Sequence, residues 1–295
     1  MRAAVIVDGR LEIQERPDPV PAEGEILVRV RAAGINGADL LQRRGGYPAP
    51  PGAPADIPGL ECAGETEDGR RVMALLSGGG HAELVAVPEE HTLPVPDNLD
   101  WPPAGGFMEV FATAHDALFT QAQLMPDERL LVNGAAGGVG VAAVQLGSEI
   151  GADVTGFARH HLDEIVELGA VGTEASGLYD VILELVGGEL IANDLEQLGH
   201  LGRLSIIGMG AGSRVEVDFR HLVRARGRVH GSHLRNRRRE EKAEVIRKLG
   251  EDVLPLLAEG RVVVPVHETY PLEHAEKAYD AFAAGGKLGK IVLTA

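Results

Sequence analysis

The segment NGAAGGVG (133–140) constrains this chain more than any other, because of what stands on either side of it. The apolar run RLLVNG (129–134) leads into it and the apolar, helix-forming GVGVAAVQLGSEIGA (138–152) leads out. A buried strand that turns through glycines into a helix leaves free N–H groups and the positive helix end facing one point. That arrangement binds a pyrophosphate. In the G-x-G-x-x-G frame Ala135 takes the first position, Gly137 the second and Gly140 the third, with Gly134, Gly138 and Val139 completing the turn. Gly137 lets phosphates approach the backbone, and Gly140 lets the helix pack tightly on the strand. A glycine-rich turn kept only for packing is the alternative, and the strand–turn–helix context weighs against it.

The same grammar continues along the chain. DVTGFA (153–158), YDVILELVG (179–187) and RLSIIG (203–208) read as strands, and FMEVFATAHDALF (107–119) and LDEIVELGA (162–170) as helices. Strands alternating with helices make right-handed βαβ units and a parallel, doubly wound sheet. The end of the second strand selects the cofactor. A carboxylate there would accept from a ribose 2′-OH, but the strand runs out through Phe157-Ala158-Arg159-His160-His161. Arg159 offers a charged fork to a 2′-phosphate, which points to NADP(H), with His160 beside it.

Residues 1 to about 100 are of another kind. Alternating runs such as AAVIV (3–7) and EILVRV (25–30) are separated by Gly, Pro and Asp-Gly turns, Asp68-Gly69 among them. RRGGYPAPPGAPADIPG (43–59) holds too much proline for a helix or central strand. LPVPDNLDWPPAGG (93–106) reads as a connector, and the tail supplies a helix (240–259), RVVVPVHETYPL, a further helix (273–284) and the strand KIVLTA. With 28 basic against 44 acidic residues the net charge is −16, which repels nucleic-acid backbones and anionic lipid. One cysteine, Cys62, makes no intrachain disulfide and no multi-cysteine zinc cluster. With neither an apolar span nor a signal-peptide core, a cytoplasmic protein is expected.

Several chemistries lack their residues. Four positions before the five lysines stand Arg238, Glu244, Glu273, Ala283 and Gly286, so the Tyr-x-x-x-Lys pair of short-chain reductases is absent. There is no H-E-x-x-H and no G-x-S-x-G.

GINGADLLQRRGGYP (34–48), PGLECAGE (58–65), NGAAGGVG, SHLRNRRREEK (232–242) and GKIVLTA (289–295) together resemble the zinc-independent, zeta-crystallin-like quinone oxidoreductases of the medium-chain dehydrogenase/reductase superfamily. The matches run in order along the whole chain. Where the zinc alcohol dehydrogenases carry G-I-C-G-x-D and G-H-E, Asn36 replaces the ligand Cys and Leu60 the ligand His. The resemblance implies a GroES-like β-barrel catalytic domain (1–106, completed by 257–295) and a Rossmann domain (107–256), with the nicotinamide in the cleft between them. It implies flavin-free reduction of quinones by NADPH, or of activated alkenes such as 2-alkenals and enones, and a homodimer. A catalytically silent NADPH-binding protein is the alternative from another class. The resemblance further places Asn36 and Asp39 beside the nicotinamide, Tyr47 at the substrate mouth and Thr113 near the cofactor. It sets Gly208-Met209 under the nicotinamide riboside and Leu234 beside the ring. Leu41 stands where relatives carry a tyrosine, a change that should alter substrate fit. Solvent or Tyr47 would supply the proton, although Tyr47 also suits a plain pocket wall. The basic run RARGRVHGSHLRNRRR (224–239) admits an RNA-binding reading, but arginines paired with the abundant glutamates account for it more simply.

Two stretches are shorter than the resemblance implies. After Gly64 only Glu-Thr-Glu-Asp precedes Gly69-Arg70-Arg71-Val72, and between Val171 and Tyr179 only Gly172 to Leu178 intervene. Seven residues span at most about 25 Å, enough to cross a sheet and too few to carry a helix. The crossover helix should therefore be missing and the third strand vestigial or lost, which shifts cofactor binding onto Arg159 and His160.

Overall fold

Apolar alternation, Asp-Gly turns and βαβ periodicity are realised in a computed structural model that describes residues 1–295. The first unit comprises Met1–Ala112 and Leu234–Ala295, and the second comprises Thr113–His233. In chain order the first unit carries β1 (Arg2–Val7), β2 (Arg10–Glu15), β3 (Glu25–Gly34), β4 (Glu61–Thr66), β5 (Arg71–Leu75), β6 (Leu84–Pro88) and β7 (Thr92–Pro94). The second carries β8 (Arg129–Asn133), β9 (Asp153–Phe157), β10 (Tyr179–Glu184), β11 (Leu198–Ile206) and β12 (Arg228–Gly231). The chain then returns to the first unit with β13 (Val266–Pro271) and β14 (Lys290–Thr294).

In the first unit β13-β14-β3-β4-β5-β7 form one sheet, with β6 also on β3. β3 is ten residues long and pairs on both edges, because its alternating Val28, Val30 and Ala32 face the interior. Cys62, Val72, Ala74, Val85 and Val87 pack against Val28 and Val30. Asp68-Gly69 does close the β4–β5 hairpin, with Gly69 at φ +83°. The domain limits differ from those expected: residues 107–112 and 234–256 belong to the first unit. Specific polar ties hold the latter there, since Arg239 pairs with Glu90 and donates to Gly24, while Arg235 donates to Ser77 and Gln42. The arginines of the basic run are thus largely committed to acids and carbonyls, Arg238 bonding Glu241 at 3.0 Å.

In the second unit all five strands are parallel, in the order β12-β11-β10-β8-β9. The strand that would lie beyond β9 is reduced to one bridge, Thr155 to Gly172, in which the Gly156 N–H meets the Gly172 carbonyl at 2.9 Å. No helix follows before β10. The bare crossover is fastened instead by Arg129, which donates to the carbonyls of Leu178 (2.6 Å) and Ser176 (3.0 Å) and stacks on the Tyr179 ring. Tyr179 is fully buried and its hydroxyl accepts from the Ser176 N–H. In the same unit a pocket of about 240 Å³ is lined by Asn133, Phe157, Ala175, Leu190 and Asp194. No helix of the protein is long and apolar enough to cross a membrane.

Candidate functional site

In the second unit β8 delivers Asn133 to the glycine turn. Gly134 adopts φ +83°, a conformation that favours glycine, and its N–H and that of Ala135 donate to the Phe157 carbonyl. Gly137 is the N-cap of the helix Gly138–Glu149, so the N–H groups of its first turn have no intrahelical acceptor. A Cβ on Gly140 would lie 2.3 Å from the Gly134 oxygen, which explains why only glycine fits there. Ala135 is buried, whereas Gly137, Gly138 and Val139 remain partly open. Beneath the turn the Asn133 amide donates to Glu184 (2.8 Å) and Asp194 (2.7 Å), tying β8, β10 and the helix Leu190–Glu196 together. Burial, and then the neighbouring Glu184, push the Asp194 carboxyl well up.

Arg159 and His160 follow β9, both exposed, and Arg159 makes no ion pair that would hold it away from a ligand. Gly208 and Met209 follow β11, with Met209 55% exposed and Gly208 pressed so closely on Leu185 that a Cβ would meet its carbonyl at 2.0 Å. Thr113 is buried and its hydroxyl has no hydrogen-bond partner. A glycine cradle at a helix N-terminus, a free surface guanidinium at the end of the second strand and an unpartnered buried hydroxyl fit a phosphorylated dinucleotide.

The first unit holds a second constellation. The Asn36 amide nitrogen donates to Glu61 Oε1 (2.9 Å), and its Oδ1 accepts from Lys290 Nζ (2.7 Å). Lys290 also reaches Glu61 Oε1 (2.6 Å) and the Ile35 carbonyl (2.9 Å). Lys290 is 2% exposed and Glu61 not at all, so this is a buried ion pair whose members are fully hydrogen-bonded. Glu61 Oε2 accepts from the Glu109 N–H at 2.9 Å, capping the first turn of the helix Met108–His115 with negative charge. Asp39 is enclosed: its Oδ2 accepts from the Asn36 N–H and its Oδ1 from the Gly59 N–H. Asp39 thus fixes the turn that carries Asn36. Burial pushes its carboxyl up and pushes the nearby His81 down; His81 instead bonds the Tyr279 hydroxyl at 2.9 Å.

Tyr47 is half-buried under the Arg235 guanidinium, 5.0 Å from its ring centre. Burial, and then the charge of Glu109, raise its hydroxyl to about 12. Leu234 is buried next to Arg235, and Leu41 is 44% exposed. Within the first unit the structure therefore brings Asn36 and Asp39 into one hydrogen-bonded turn, and sets Tyr47 near Glu109 electrostatically. Glu61, Lys290, Glu109 and Arg235 were missed by motif reading. The available signal was a charge of either sign inside an apolar strand, as in GLECAGE and GKIVLTA.

Zinc does not fit here. The Asn36 amide is spent as a donor on Glu61, Leu60 is apolar, and no group of three His, Cys, Asp or Glu side chains is placed to hold a metal ion.

Residues 22–97 match the family model described as alcohol dehydrogenase GroES-like domain, and residues 154–293 the one described as zinc-binding dehydrogenase. The quinone oxidoreductase of Thermus thermophilus, solved alone and with NADPH, is 35% identical over all of both chains, with a TM-score of 0.89. Mouse quinone oxidoreductase is 29% identical over 93% of this chain and 90% of its own. The mouse synaptic vesicle membrane protein VAT-1 homolog-like is 28% identical over 99% and 81%. With these matches and the loss of both zinc-ligand positions, the chain belongs to the zinc-independent quinone oxidoreductase branch of the medium-chain dehydrogenase/reductase superfamily.

Proposed function

We propose that the protein is an NADPH-dependent reductase of quinones. The observation that carries this reading is the Asn36–Glu61–Lys290 cluster, in which Asn36, at the sequence position of a zinc-ligand cysteine, is tied up by hydrogen bonds to Glu61 and Lys290. Together with the match to quinone oxidoreductases along the full chain, it supports reduction without a Lewis acid. Bound NADPH supplies a hydride from the nicotinamide C4. Gly134, Ala135, Gly137, Gly138, Val139 and Gly140 cradle the pyrophosphate, and Arg159 with His160 takes the 2′-phosphate. Thr113, Gly208 and Met209 position the nicotinamide half. Asn36 lies against the acceptor, held rigid by Lys290 and Glu61, while Asp39 acts through Asn36 as a positioning residue. Tyr47 and Leu234 wall the acceptor's pocket. Outward-facing β12, an edge strand, supports a homodimer formed by edge pairing.

Reduction of an enone is the second reading. It is favoured by Glu109, an acid with no partner for its carboxyl, because an enolate needs a proton at carbon. NADPH oxidation should be followed with 1,4-benzoquinone, phenanthrenequinone and an enone side by side. Turnover of either quinone is the expected result. NADPH binding without oxidation by any acceptor overturns the enzyme reading in favour of a silent binding protein.

A further inference from the structure

Three carboxyl groups meet in the first unit, and their environments differ sharply. Asp39 and Glu61 are fully buried, and every oxygen of both accepts a hydrogen bond. Glu109 is only half-buried, and although its N–H is tied to Glu61 its own carboxyl makes no hydrogen bond or ion pair. It is the one acid of the cluster whose carboxyl is free of hydrogen bonds and whose residue keeps partial exposure. The first turn of the helix Met108–His115 fixes it there, anchored from below by Glu61 Oε2.

We propose that Glu109 is the proton donor of the reaction, handing its carboxyl hydrogen to the oxygen or α-carbon of the acceptor as hydride arrives. The assignment rests on the reductase reading above. Hydride brings two electrons and forms one C–H or O–H bond on the acceptor. The Glu109 O–H bond breaks, the proton forms the second bond, and water then reprotonates the carboxylate. One NADPH and one proton are consumed for each acceptor reduced.

The charges around Glu109 favour the protonated form at neutral pH. Burial, then Glu61 and Asp39, raise it to about 8, against the opposing pull of Lys290 and Lys242. Tyr47 and the Arg235 guanidinium face it as well. A carboxyl raised in this way carries its proton through the physiological range and loses it above about pH 8.

The test compares wild type with Glu109→Gln from pH 6 to 10. With an enone, wild-type kcat should fall above about pH 8. The variant should be slower by about 10²-fold, the lower end for general acid catalysis, and flat with pH. A quinone whose reduced anion is stable should lose less, and KM for NADPH should not move. A second readout needs no cofactor. A raised acid makes the folded state bind the extra proton, so Glu109 contributes a fall in stability as pH rises from about 4.5 to about 8. The difference in stability between wild type and variant should carry that fall, the shares of Asp39 and Asp194 being common to both. Wild-type kcat and an intact alkaline limb in Glu109→Gln overturn the proposal. If that variant does not fold, a flat wild-type enone profile overturns it, and an alkaline limb shifted in Glu109→Asp supports it. Failure of wild type to oxidise NADPH with any acceptor defeats the reductase reading instead, so the two failures are distinguishable.

Discussion

Replacing Lys290 by methionine keeps the aliphatic stem and removes one buried charge. All three Nζ hydrogens are in use, on Glu61, Asn36 and the Ile35 carbonyl. The substitution leaves Glu61 charged at zero exposure, with only the Asn36 amide and the Glu109 N–H to compensate, and strips donors from two other buried oxygens. Breaking a buried pair from one side costs about 3–5 kcal/mol. For a unit of this size that lowers Tm by on the order of 10 °C. The chain's single tryptophan, Trp101, lies in the same unit, so its fluorescence during urea and thermal unfolding reports that unit. The decisive comparison adds Glu61→Gln alone and with Lys290→Met. Removing both charges should be less damaging than the sum of the single changes by about 1–3 kcal/mol, since neither partner is stranded. A Lys290→Met protein within about 1 kcal/mol of wild type, or strictly additive changes, would refute the argument that this pair is a closed, mutually dependent unit.

Arg159→Ala should raise KM for NADPH by about tenfold or more, the loss of a charge-assisted phosphate contact, and leave NADH kinetics unchanged; an unaltered coenzyme preference defeats the assignment. Tyr47→Phe should lower kcat less than about threefold, because a hydroxyl raised to about 12 is a poor acid near neutrality. A loss of about 10²-fold would make Tyr47 the donor instead. Gly140→Ala forces a methyl to within 2.3 Å of the Gly134 oxygen, and overpacking there should cost about 1–3 kcal/mol and weaken NADPH binding, measured by calorimetry. Wild-type affinity and stability would show that the turn yields freely.

What could be read from the chain was what is local or is counted along it. The strand–turn–helix at 129–152 lies within a few residues, so its geometry follows from propensity and glycine chemistry. The missing crossover helix followed from reach, since no arrangement of Gly172–Leu178 could both cross the sheet and form helical turns. What held that crossover in place, Arg129, depended on carbonyls 47 and 49 residues away and left no pattern. The catalytic-side cluster is less legible still. Asn36 meets Glu61 at a separation of 25 residues and Lys290 at 254, and no periodicity connects the three. The family resemblance puts Asp39 beside the nicotinamide, and what the sequence does not show is that its enclosed carboxyl accepts from the backbone N–H groups of Asn36 and of Gly59, 20 residues away. Glu109 shows why this limit is physical. On a helical projection it is one acid in FMEVFATA, indistinguishable from a solvated residue. Its raised proton affinity comes first from its own burial and then from Glu61 and Asp39 beside it, and those two are held in the interior by Lys290 and backbone N–H groups. The acidity of one side chain is thus a property of four segments at once.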